Sequence, residues 1–303
     1  MPEMPAARVT DMHVCPMATG VVPHLGGPII PPNSLNVQTN DLFQARATDK
    51  ASCVGPIDFI VVGSSTVFVN DLMAARTADQ TMHGGLIGPG SINVLIGGPP
   101  GGATLGNPVA GQAACVAAVG GRNPSAALGL PAQTQSQSYN NCGVESSRQI
   151  INQANGSNVS QEILLTQAMV NGQATAVPGN LQASGGTTPT TRVQLLQTNG
   201  VPASEVTPSM QNMQQAVAEH RGVIVAVMAG TLWGAAGGIP AGQGPHAILV
   251  TGLQYDATGK LQNVFINDTG MGTCTQPVPV ATFQAALTAR GGANHVVTNN
   301  PIW

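Results

Sequence analysis

Apolar and polar positions change rhythm twice along the chain. Up to about residue 98 the apolar runs are short and alternate with polar residues: Asn36-Val37, Ser65-Thr66-Val67-Phe68-Val69 and Ile92-Asn93-Val94-Leu95-Ile96, each introduced by Gly, Ser or Pro turn residues. A period of two with frequent turns predicts short β-strands. Between about 97 and 135 the chain includes GGPPGGATLGNP, AGQAACVAAVGG and RNPSAALGLP, with Arg122 its one charged side chain. That predicts a linker with a helical turn or two over the Ala-rich stretch 110–119, stopped by Gly120-Gly121 and Pro124. Beyond 133 the pattern is mixed. Val144, Ile150 and Ile151 follow Cys142 at helical spacing, Met213 to Glu219 is a second helical run, and the apolar runs 247–255 and 261–267 flank an Asp256-Ala-Thr-Gly-Lys260 turn. Those two runs predict a β-hairpin. The organisation expected is therefore a small all-β module over 1–98, a connector over 99–132 and an α+β domain over 133–303.

The first module is internally repeated. Residues 40–53, NDLFQARATDKASC, align with 70–83, NDLMAARTADQTMH, at a constant offset of 30, and a fainter third copy runs Pro5-Ala6-Ala7-Arg8-Val9-Thr10-Asp11. In each copy an Asp follows the Arg by three residues: Asp11, Asp49 and Asp79. Three copies predict pseudo-threefold construction. Seven residues after each repeat Arg stands a metal-capable side chain, giving Cys15, Cys53 and His83, with His13 and His24 close by in sequence. Imidazole and thiolate are the ligands zinc prefers, and one ion can pin a β module too small for a large core. Repeat symmetry thus predicts a closed zinc site.

The segments PAARVTDMHVCPM, PHLGGPI, MAARTAD and MHGGLIGPGSINVLIGG together resemble the PAAR domain over residues 1 to about 100. The resemblance implies a conical β structure that caps the spike trimer of a type VI secretion apparatus. It also implies zinc held by three His and one Cys, which here would be His13, His24, Cys53 and His83. Strict repeat symmetry, by contrast, selects Cys15.

In the α+β domain, Cys142 falls between a polar loop, Gln135 to Asn141, and a helix-like pattern, so it is expected at a helix start. There the helix dipole and the free backbone N–H groups favour thiolate over thiol, and Gly143 lets a substrate come close. A lone Cys at a helix start is more often structural, so its role depends on partners. His246 enters the predicted hairpin and Asn267 or Asp268 leaves it, so pairing of the strands makes them neighbours, and either could orient an imidazole that activates a thiol. His220, His295 and Cys274 lack such a setting, Cys274 being read as a loop residue, and Cys115 reads as a small apolar residue. The order Cys-helix, His strand, Asn/Asp at the end of the next strand resembles the papain-like peptidases over about 133–303. Within them, Asn-Asn-Cys-Gly and His-Ala-Ile-Leu-Val…Ile-Asn-Asp-Thr-Gly look most like the bacteriocin-processing peptidases that cut after a double glycine. That resemblance implies Asp268 as the orienter and a Gln upstream of the Cys in the oxyanion hole, Gln137 ahead of Gln135.

Composition narrows the classes. Charged residues are 8% and aromatics 3%, with 38 Gly and 23 Pro, which suits a turn-rich folded chain. A net charge of −3 and the lack of a basic cluster argue against direct nucleic-acid binding. No stretch approaches the roughly 20 apolar residues of a membrane span. The first residues, MPEMP, resemble no secretory signal, so export would take a signal-independent route. Five scattered cysteines are expected to be reduced thiols with separate jobs. The combined expectation is a spike tip made in a bacterial cytoplasm and delivered by type VI secretion into a recipient cell, carrying a cysteine peptidase toxin that cleaves a protein there. A cognate immunity protein would guard the producer. The alternatives are a glutamine deamidase or transglutaminase-like toxin on the same fold, and a structural spike component without activity.

Overall fold

The computed structural model describes residues 3–108, 140–180, 183–234 and 239–303. The chain forms two compact units, Met1–Leu105 with Leu253–Gln262 and Gly106–Gly252 with Asn263–Trp303.

The first unit is built from strands of two to four residues, and its repeat is visible atom by atom. In the copies at Arg8, Arg46 and Arg76 the guanidinium meets the Asp three residues on at 2.9 Å. The same carboxylate accepts the Arg backbone N–H at 2.7, 2.8 and 2.8 Å. Each loop between Arg and Asp needs a left-handed residue, supplied by Thr10, Thr48 and Ala78 at φ 75°, 80° and 67°. Asn40-Asp41 and Asn70-Asp71, also at positive φ, close the two-residue hairpins 38–43 and 68–73 as such turns require. The Ala that precedes each Arg completes a ring. Ala7 N–H donates to Ala75, Ala75 to Ala45 and Ala45 to Ala7, at 3.0, 3.0 and 2.9 Å. Ile29, Ile60 and Ile87 pack around these three alanines. Only a side chain as small as Ala's fits at an axis where three backbones meet, which is why the repeat keeps an Ala there. Order continues past residue 98, since Pro100–Gly102 pairs with Val62–Ser64.

The second unit contains helices α1 (Cys142–Asn155), α2 (Gln161–Val170) and α3 (Pro189–Thr198), strand β1 (Ala203–Val206), α4 (Met210–Ala218), β2 (Arg221–Met228), the short α5 (Ala229–Trp233), β3 (Pro245–Tyr255), β4 (Leu261–Asp268), β5 (Thr273–Pro279), α6 (Val280–Arg290) and β6 (His295–Pro301). Its strands run in the order β1-β6-β2-β3-β4-β5. The central strands β2 and β3 are apolar almost throughout and buried. Val144 and Ile150 of α1, Leu164 of α2 and Leu195 of α3 pack with Ile224, Leu249 and Val296 of the sheet. Each such side chain contributes roughly 1.5–3 kcal/mol of burial. Helix starts follow local chemistry: Ser160, Thr188 and Ser209 cap α2, α3 and α4 through their hydroxyls, and Pro189 opens α3. The hairpin expected over 247–267 is present as β3 and β4. Among the described residues, no helix is long and apolar enough to cross a membrane.

The cysteines correct one expectation. Cys15, Cys53 and Cys142 are free, but Cys274 is disulfide-bonded, and it lies in strand β5 and not in a loop. Scattered spacing misled because a disulfide needs nearness in space only. Cys115, the 110–119 helical turn, Gln135 and Gln137 lie outside the described residues.

Candidate active site and metal centre

Cys142 is the first residue of α1, whose cap position, Asn141, gives no side-chain hydrogen bond to the helix. His246 sits one residue into β3, paired with Val227 of β2, and Asp268 ends β4. The paired strands bring the last two together: His246 Nε2 lies 2.7 Å from Asp268 Oδ1. With Nε2 taken by the carboxylate, Nδ1 is the ring nitrogen that faces the thiol. Asn267 turns the other way, donating its amide to Gln149 Oε1 of α1 at 2.8 Å and accepting the Thr275 N–H at 2.9 Å. The period of two along a strand explains the choice, because adjacent residues point to opposite faces.

Charge is redistributed among the three groups. Burial opposes ionisation of the Cys142 thiol, but the His246 imidazole, the Ala247 backbone N–H and the Arg192 guanidinium outweigh it and hold the thiol below its ordinary value. Burial likewise opposes the charged ring of His246, yet Asp268 and the thiolate raise it to about 10. Asp268, fully buried, is kept low despite that burial by His246 and by a hydrogen bond from Trp233. Near neutral pH the arrangement therefore favours thiolate, imidazolium and carboxylate together.

Residues outside the motifs read from the sequence, Trp233, Arg192 and Arg290, complete the setting together with Gly143 and Gly270. The Trp233 indole Nε1 donates to Asp268 Oδ2 at 2.7 Å, and its ring meets the imidazole edge to face at 5.1 Å. The Gly270 N–H donates to Asp268 Oδ1 at 2.8 Å, and a Cβ on Gly270 would stand 2.7 Å from Trp233 and 2.9 Å from His246. Gly143 is small for a related reason, since a Cβ there would collide with Thr187 Oγ1 and Arg192 Nε. A cavity of 160 Å³ opens at Cys142 and His246, with Thr187, Arg192 and Arg290 in its wall. The one available signal was the rarity of Trp, two in the whole chain.

In the first unit, Cys15, His24, Cys53 and His83 converge, with one ligand atom from each within 4.8 Å of the others. Cys15 Sγ is 3.6 Å from His83 Nδ1. His24 spends Nε2 on Thr19 Oγ1 at 2.7 Å, while its buried Nδ1 has no hydrogen-bond partner among the described residues. Burial and the neighbouring Cys15 push the Cys53 thiol up to about 12, a repulsion between sulfurs that a divalent cation would reverse. Two thiols and two imidazoles make a donor set that fits zinc.

His13 is not one of this four. Its Nδ1–H donates to Gly27 O at 2.9 Å and its Nε2 faces Asp58 Oδ2 at 3.2 Å. Burial works against its charge, but Asp58 and Gly27 raise it. Asp58 in turn accepts the His83 backbone N–H at 3.0 Å, so His13 braces the cluster from behind. The resemblance implied His13; the position seven after each repeat Arg, Cys15 in the first copy, is what the fold brings together.

A family model for the PAAR motif matches residues 19–89. No curated protein matches the chain. Among solved structures, one described as a C39-like peptidase from Bacillus anthracis is similar at 17% identity, covering 54% of this chain and 90% of that one, with a TM-score of 0.40.

Proposed function

We propose that the chain is a type VI secretion effector, in which a PAAR spike tip carries a cysteine peptidase that cleaves a protein in the recipient cell. One observation carries the enzymatic half: His246 is held by Asp268 through Nε2, beside a thiol that the same ring drives towards thiolate. In this reading the Cys142 sulfur attacks the scissile carbonyl carbon. The imidazolium returns the Nδ1 proton to the leaving amine as the C–N bond breaks, leaving a thioester. Water then attacks the thioester, neutral Nδ1 takes its proton, and the acid product leaves as the thiol re-forms its ion pair. Asp268 holds the ring tautomer throughout, and Trp233 and Gly270 hold Asp268. Gln137 is the proposed oxyanion donor, alongside a backbone N–H at the start of α1.

In the tip, Cys15, His24, Cys53 and His83 are the proposed zinc ligands, the ion serving to stabilise the fold. The PAAR motif supports a spike trimer as partner, and a toxin of this kind requires a cognate immunity protein in the producer. The test is to express the full chain or its Cys142→Ala form in sensitive bacteria and compare protein termini across the proteome. New termini confined to the wild type support the reading, most directly if they follow Gly-Gly. Proteins gaining about one dalton without new termini would replace proteolysis by deamidation, and identical proteomes and growth would leave an inert spike component.

A further inference from the structure

Two guanidinium groups share the cavity with the thiol, and among the described residues neither forms an ion pair with an acid. Arg192 is 6% exposed. Its Nε donates to Thr187 Oγ1 at 2.9 Å and its Nη2 to Thr187 O at 3.4 Å, which leaves the buried Nη1 with no hydrogen-bond partner among the described residues. Arg290, the half-buried last residue of α6, has a buried Nε that is likewise unpartnered. Both line the 160 Å³ cavity of Cys142 and His246. They are near enough that Arg290, after burial, helps depress the ionisation of Arg192. The acid that acts on Arg192, Glu205, is exposed and spends its oxygens on Thr190 at 2.6 Å and Asn294 at 2.8 Å. Arg8, Arg46, Arg76, Arg148 and Arg221, by contrast, each contact a carboxylate.

A buried cation without a counter-ion is costly, and a second guanidinium in the same cavity wall adds to that cost. Of the catalytic charges, the Cys142 thiolate offsets Arg192 only until it acylates, and Asp268 is engaged by His246 and Trp233. We propose that Arg192 and Arg290 form a carboxylate-binding subsite, so that the substrate carries a carboxylate next to the bond that Cys142 attacks. Guanidinium matches that group in geometry as well as charge. At roughly 30 Å³ of liquid volume per water, the cavity corresponds to about five waters, room for one short acidic group. The carboxylate could be an acidic side chain or the free end of a peptide. This inference rests on the cysteine-peptidase reading.

Two reagents of nearly equal size separate the two claims. Iodoacetate and iodoacetamide carry the same electrophile, but only the first bears a carboxylate. Their rates of alkylating Cys142 in the full chain are followed by peptide mapping. Iodoacetate is expected to be the faster, and Arg290→Gln, at a half-exposed site that leaves His246 in place, should lower the ratio of the two rates by about tenfold, the effect of one charge-assisted hydrogen bond. Arg290→Lys should restore most of the ratio. An unchanged ratio in Arg290→Gln, with Cys142 still reactive, overturns the subsite and leaves the peptidase reading standing. A folded wild type whose Cys142 reacts with neither reagent overturns both. Protection from iodoacetamide then identifies the source: C-terminally amidated peptides with one Asp or Glu test the side chain, and acid-free peptides with a free terminus test the chain end. Protection by neither class also overturns the subsite.

Discussion

Replacing Asp268 by Asn isolates the charge of the orienting group while keeping its shape. In the wild type Oδ1 accepts from His246 Nε2 at 2.7 Å, Gly270 N at 2.8 Å and Met271 N at 3.3 Å, and Oδ2 accepts from Trp233 Nε1 at 2.7 Å. An Asn that keeps its oxygen on the first three points its NH2 at the indole N–H, donor against donor, at a cost of about 1–3 kcal/mol. Turned over, it satisfies Trp233 but offers the imidazole a donor, which favours the wrong tautomer. Either way the carboxylate no longer sustains the rise of His246 to about 10. Losing roughly two units of that rise is about 2.7 kcal/mol. The assay is the iodoacetamide rate at Cys142 from acid to alkaline pH. The ion-pair window should narrow from both sides in Asp268→Asn, its alkaline limb falling by about two units and its acid limb rising as the thiol loses support, with peptidase turnover down by about 10²–10⁴-fold. Stability should follow the same signs. The raised His246 contributes fully below its ordinary 6.5 and is lost as pH rises through about 10, whereas the lowered Asp268 contributes above its ordinary 3.8 and is lost as pH falls below that. A window in the variant that stays within about half a unit of the wild type would refute the account.

Metal content should follow the cluster: elemental analysis is expected to find one zinc per chain, lost with a several-kcal/mol drop in stability in Cys15→Ser or Cys53→Ser and kept in His13→Ala. Retention in Cys15→Ser with loss in His13→Ala would restore the three-His set. Gly270→Ala should cut kcat/KM by about tenfold or more with little change in melting temperature, because its Cβ presses on Trp233 and His246 while the core is untouched; wild-type kinetics would show the imidazole is free to yield. If the chain cuts itself at a double glycine, intact mass should show no cut after Gly98 or Gly102. Gly98 O accepts Arg76 Nη1 at 2.8 Å, and Gly101 and Gly102 are paired in a strand. Fragments ending at those two would count against this, and equal masses in wild type and Cys142→Ala would exclude self-cleavage.

Much of this was legible because it is written in short-range rules. The Arg-Asp spacing of three carries its own ion pair, and the offset of 30 announces the symmetry. The Asp256 turn fixes where His246 and the end of β4 meet. Strand alternation could decide between Asp268 and Asn267 only once the register was known, and one residue of slip would have exchanged them. Cys15 and His13 are two residues apart, and the fold groups Cys15 with His24, Cys53 and His83 and sets His13 beside Cys15 and Asp58. Trp233, Arg192 and Arg290 were invisible for a different reason. Each acts through a neighbour far away in sequence, and none carries a local pattern that distinguishes it from a core or surface residue. The pairing of Cys274 was hidden for the same reason.

The ring of Ala7, Ala75 and Ala45 bears on how such a chain can evolve. Stacked-repeat proteins are open arrays, which lengthen or shorten by whole units because each touches only its neighbours. Here every copy's N–H is consumed by the next and the third returns to the first. A fourth copy would find no donor or acceptor vacant, and removing one would strand two. The number is locked at three by hydrogen-bond closure, so this module cannot diversify by counting. Novelty must enter elsewhere, through what is joined to it.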